Sequence, residues 1–148
     1  RTVYGGGGIT PDVTVVQDTV AFTPYFFNLT AKGVVPEYLY GYLDSERENL
    51  EHEYPSDFDG FRNRFVVTDD MIDGIVSLGK ERGVEPDSLQ LSKSRPLMAK
   101  QLKALLARSL FSDSEYYEIM NAEGDEYFDE AVEILCKWHS RGDKILGD

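Results

Sequence analysis

From Thr23 onward the sequence is punctuated as a series of helices, and this punctuation restricts the chain to an α-rich fold more than any other feature. Thr23-Pro24 places an N-cap ahead of a proline at the first helical position, which predicts a helix through about Lys32 closed by Gly33. Pro36 opens a second helix, with Leu39, Tyr42 and Leu43 at helical spacing. It runs towards Tyr54 and stops at Pro55. Ser56 or Asp57 caps a short turn carrying Phe58, Phe61 and Phe65, and Thr68 caps a helix over 69–82 with Ile72, Ile75 and Gly79 on one stripe. The clearest helix is expected over 94–110, where Met98, Leu102, Leu105 and Leu106 mark an apolar face that Ser109 and Leu110 extend. Ser112 and Glu115 have the spacing of a capping box and open a short helix. Asp125 caps the last, on which Phe128, Ala131, Val132, Leu135 and His139 share a face, and Gly142 is its stop.

The first 18 residues read differently. Thr2-Val3-Tyr4 and Val13-Thr14-Val15-Val16 are rich in β-branched residues, and the four glycines between them can take positive φ at little steric cost. The expected architecture is therefore mainly α: a compact domain of roughly six helices over 19–148, preceded by a short extended, glycine-rich β arm over 1–18. A chain of 148 residues buries about 68–70% of its unfolded surface. With 41% hydrophobic residues, 9 Tyr and 8 Phe, it has the material for a core and does not read as disordered.

Fifteen basic residues against 27 acidic ones give a net charge of −12, which repels phosphate backbones and anionic lipid surfaces. Nucleic-acid binding and polybasic membrane binding are not expected. No apolar run reaches the roughly 18 residues of a membrane span, and no secretory signal pattern stands at the N-terminus. Charge is segregated: residues 44–59 hold seven acids and one base, residues 93–108 five bases and no acid, and residues 113–133 nine acids and no base. Two readings stay open. Basic and acidic helices can lie side by side and screen each other, or the face of Lys93, Arg95, Lys100, Lys103 and Arg108 can dock an acidic partner.

No complete active site stands out. Gly5 to Gly8 lack the Gly-Lys-Ser/Thr and the following helix of a phosphate loop, and Pro11-Asp12-Val13 reads as turn and strand, so no nucleotide is expected. His52 lies in Glu51-His52-Glu53 as a solvated helix position, and His139 on an apolar face is read as a boundary histidine. Asp57-Phe58-Asp59-Gly60 and Asn121-Ala122-Glu123-Gly124 are out of register for a calcium loop, so neither metal nor other cofactor is expected. Cys136, the single cysteine, cannot form an internal disulfide and is read as a small buried hydrophobe in mid-helix. Asn28-Leu29-Thr30 is a glycosylation sequon placed within a helix.

The opening stretch Arg1-Thr2-Val3-Tyr4-Gly5-Gly6-Gly7-Gly8-Ile9-Thr10-Pro11-Asp12-Val13 resembles the segment that closes the protease core of the carboxyl-terminal processing peptidases, the tail-specific serine proteases, in their Bacteroidetes-like form. Thr23-Pro24-Tyr25-Phe26-Phe27, Phe65-Val66-Val67-Thr68-Asp69 and the stretch from Gln101 to Arg108 are similar to the C-terminal extension of that branch. The resemblance implies a structural motif made of Gly5, Gly6, Gly7, Gly8, Ile9, Pro11 and Asp12. In it the glycines give a tight irregular turn, Pro11 fixes φ and Asp12 caps the turn. It implies a parent serine endopeptidase with a serine–lysine dyad upstream of this chain, acting on protein or peptide substrates at the periplasmic side of a bacterial envelope. No residue of 1–148 matches the dyad, and Lys100 and Lys103, on a basic exposed-looking face, are poor candidates for its base. The helical part is then auxiliary, in substrate positioning, core stabilisation or assembly; the alternative is a non-enzymatic helical protein-interaction module. A strand without its neighbours tends to find a partner, so a homo-oligomer through the arm is a further expectation.

Overall fold

The computed structural model describes residues 21–121 and 131–137. Residues 18–122 belong to one compact unit, and helix 131–137 belongs to a second. The described residues of both are helical, and no strand occurs among them. The mainly α class is therefore as expected, whereas the arm and its boundary at residue 18 lie outside the described residues.

In the larger unit, α1 (Pro24–Ala31) starts where Thr23, with extended backbone, accepts a hydrogen bond from the Phe26 amide on its hydroxyl at 3.3 Å. Tyr25, Phe26 and Leu29 form its buried side. Gly33, at φ 67°, turns the chain directly into α2 (Val34–Glu53). That helix therefore opens two residues before Pro36, and the proline sits within the first turn, where its missing N–H costs no helical bond. Asp57 caps α3 (Phe58–Arg64) by accepting from the Gly60 amide at 2.8 Å, and Phe65 lies just past its end. Thr68 caps α4 (Asp69–Glu81), accepting from the Met71 amide at 3.4 Å.

α5 (Ser88–Leu110) is the central element and packs against α1, α2, α4 and α6. It begins six residues earlier than its apolar stripe predicts, because Asp87 caps it by accepting from the Gln90 amide at 2.8 Å. Met98, Leu102 and Leu106, four residues apart, are completely buried, as are Ala104 and Ala107. Leu105, expected on the stripe, is only partly buried, while Ala104 and Ala107 on either side of it are completely buried. Burying each large apolar side chain contributes about 1.5–3 kcal/mol, and truncating Leu102 to alanine costs about 2–5 kcal/mol.

Ser112 caps α6 (Asp113–Met120) with a pattern close to the expected box. Its hydroxyl accepts from the Ser114 amide at 3.2 Å and donates to the Glu115 carboxylate. In the second unit, helix 131–137 carries Val132 and Leu135 exposed. Cys136, expected as a buried hydrophobe, is exposed instead, on a short helix whose apolar Val132 and Leu135 are exposed as well. Asp125, Phe128, His139 and Gly142 lie outside the described residues.

Candidate functional site

A cavity of about 340 Å³ opens between α1 and the chain joining α4 to α5. Pro24, Asn28 and Lys32 recur at every fourth position of α1 and so face it together, with Tyr25 beside them. Gly83, Val84, Glu85 and Asp87 form the opposite wall, and Gln90 of α5 closes one end. Its geometry is held from both sides. The Gln90 carboxamide oxygen accepts from the Tyr25 amide at 2.8 Å, which ties the first turn of α1 to α5. The Lys32 ammonium donates to the carbonyls of Arg82 at 2.7 Å and Gly83 at 3.3 Å, where α4 ends and presents unpaired C=O groups.

The lining mixes one ammonium, two carboxylates and two carboxamides. It holds no serine, cysteine or histidine, and thus no nucleophile–base pair. The Tyr25 hydroxyl is buried without a hydrogen-bond partner, and burial raises its pKa above the usual tyrosine value. Chemically this is a polar recess. Among the described residues no cluster of His, Cys, Asp and Glu is placed to hold a metal ion. No helix there is long and apolar enough to cross a membrane.

The basic stretch of α5 is distributed over separate neighbours. Arg95 pairs with Asp69 at the start of α4, and Arg108 pairs with Asp113 at the start of α6. Both partners are the acidic first-turn residues that helix N-termini favour, so here basic and acidic helices do lie side by side. Lys93 is exposed.

Lys103 departs from the exposed position expected of it. Its ammonium is partly buried and donates to the carbonyls of Arg62 and Phe65, both at 2.7 Å. It lies 5.9 Å from the centre of the Phe61 ring. Burial pulls its pKa below the ordinary lysine value. The physical reason for the departure is α3, a seven-residue helix whose last carbonyls need donors and find one on α5.

His52 is exposed in the last turn of α2, as its acidic neighbours suggest. The sequon lies inside α1, where Leu29 is completely buried and the Thr30 hydroxyl donates to the Phe26 carbonyl at 3.0 Å. Gly5, Gly6, Gly7, Gly8, Ile9, Pro11 and Asp12 lie outside the described residues. The sequence marks Asn28 only as part of a sequon, and marks Lys32 and Gln90 as no site at all. The fourfold spacing of Pro24, Asn28 and Lys32 was the available signal, but nothing in it identifies the loop that faces them.

Together these elements define an all-helical unit organised on one long helix, with a polar recess at the α1 end. The chain belongs to a family of unknown function, DUF8443, which matches residues 25–112, from the second residue of α1 to the cap of α6. Comparison with the curated proteins gives no match, and comparison with the solved structures gives none.

Proposed function

We propose that this chain is the helical C-terminal region of a carboxyl-terminal processing serine endopeptidase, with an auxiliary part in positioning substrate, stabilising the core or assembling the enzyme. The observation that carries the reading is the stretch from Gly5 to Val13 standing directly ahead of a helical unit. A self-standing helical module has no evident use for four glycines followed by Ile9-Thr10-Pro11-Asp12. On this reading the parent acts in the bacterial cell envelope, on the periplasmic side, and its substrates are proteins or peptides cleaved near their C-terminal ends.

A second reading is a non-enzymatic protein-interaction module; the family match, over residues 25–112, favours neither reading. The two separate in a peptidase assay. The product of the complete reading frame containing this chain is predicted to cleave an unfolded protein substrate with sensitivity to serine-directed inhibitors, while residues 1–148 alone are inert. Absence of cleavage by the complete product, or inhibitor-sensitive cleavage by 1–148 alone, contradicts the proposal.

A further inference from the structure

The segment from Asp57 to Thr68 meets the rest of its unit through apolar side chains, Phe58, Phe61, Phe65 and Val67, and through the amine of Lys103. Its backbone hydrogen bonds stay local, Asp57 donating to Tyr54, Phe61 to Asp57 and Phe65 to Phe61, until Thr68, whose carbonyl accepts from Ile72 of α4. A seven-residue helix is too short to be stable by itself, so its order must come from what it packs on. One anchor is aromatic. Phe61 is completely buried, stacked on Phe65 at 4.7 Å and edge-on to Tyr54 at 5.4 Å and Phe111 at 5.7 Å. The other is polar, with the Lys103 ammonium bridging the carbonyls of Arg62 and Phe65 on either side of the helix end. An ion pair from Arg62 to Glu118 lies at the surface, where such pairs contribute little.

From this arrangement we infer that residues 57–68 form a strap that opens as a unit of its own, with the Lys103 ammonium as its latch. The two bonds are charge-assisted, and they supply donors to carbonyls that the short helix leaves unpaired. Without the amine those carbonyls lose their only described donor from α5. The open strap uncovers the Phe61 face, an aromatic surface that the closed unit hides completely. Locally unfolding units of this kind are separable by hydrogen exchange.

The test is hydrogen–deuterium exchange on the complete chain, wild type and Lys103→Met, read on peptides of the strap and of α1, α2 and α5. Methionine keeps the length of the side chain and removes the charge. Charge-assisted hydrogen bonds are strong enough that strap amides are expected to exchange on the order of tenfold faster or more in the variant, with α1 and α2 unchanged. Equal acceleration in all helices, or none in the strap, overturns the inference. A measurement on the wild type alone guards against a variant that does not fold. With rising low denaturant, the strap amides should exchange through a local opening well below the global unfolding free energy. If they open only together with the α5 amides, there is no separate strap.

Discussion

The Thr23 and Ser94 hydroxyls lie 2.6 Å apart, completely enclosed, although 71 residues separate them. The protons of this pair can be assigned. The Ser94 hydroxyl donates to the Ala21 carbonyl at 2.8 Å, so it must accept from Thr23, and Thr23 in turn accepts from the Phe26 amide. The N-cap of α1 is thereby fastened to α5, the element on which the unit is organised. Ser94→Ala leaves a buried hydroxyl and a carbonyl without their partner. It is expected to lower stability by about 1–3 kcal/mol in denaturant unfolding, with an unchanged denaturant slope. Ser94→Val, which adds bulk as well, should cost more.

Two helical glycines should respond oppositely to alanine. At Gly41 in α2 an added Cβ meets nothing within 4 Å, so Gly41→Ala is expected to raise stability by about 0.5–1 kcal/mol through helix propensity. At Gly79 in α4 the same atom lies 2.7 Å from a methyl of Leu29, which is completely buried and has no room to retreat. Overpacking outweighs propensity there, and Gly79→Ala should cost about 1–2 kcal/mol. Thermal unfolding of the two variants side by side checks the pair of signs.

Pro96 stands inside α5 with an exposed ring. It supplies no N–H to the carbonyl one turn earlier, and its ring crowds that carbonyl. Part of this cost is offset because proline also restricts the unfolded chain. Pro96→Ala is expected to stabilise the unit by on the order of 1–2 kcal/mol. A loss of stability on chemical denaturation would show that the proline shapes the packing of the helix rather than straining it.

Glu37 of α2 and Arg82 at the end of α4 meet through both carboxylate oxygens. The Arg82 guanidinium holds the Glu37 carboxyl below its ordinary range, chiefly by hydrogen bonding; desolvation opposes this, and the guanidinium's charge adds a smaller lowering. A carboxyl depressed in the folded state contributes stability that is present above its unfolded pKa and is lost as pH falls through the lower folded value. The stability difference between wild type and Glu37→Gln is therefore expected at pH 7. It should shrink as pH drops below the normal glutamate value of about 4.3, and also shrink with added salt. Denaturation midpoints between pH 7 and pH 2 read this directly, and a gap that does not change with pH contradicts it.

Helix positions were legible wherever a cap and a stripe agreed, as at Thr23, Thr68 and Ser112. The start of α5 was not. Residues 88–93 carry no stripe, Pro96 resembles the first position of a helix, and the true cap at Asp87 is a single carboxylate among many. The opening of α2 was missed by two residues because Gly33 both ends one helix and begins the next. Lys103 shows the deeper limit. Its position off the Leu102 stripe correctly places it away from the centre of the core. The carbonyls that draw it inward, however, belong to a short helix some forty residues earlier, and no spacing rule within α5 reports them. The recess was illegible for the same reason, since its walls come from three separate stretches.

The central claim concerns what precedes these helices, and the most direct measurement is to sequence the coding DNA upstream of Arg1. A protease core with a candidate nucleophilic serine, followed some tens of residues later by a lysine, is the predicted result; it makes this chain the C-terminal region of a tail-specific peptidase. A start codon or an unrelated domain immediately ahead of Arg1 contradicts the account, and the helical unit then stands as an interaction module.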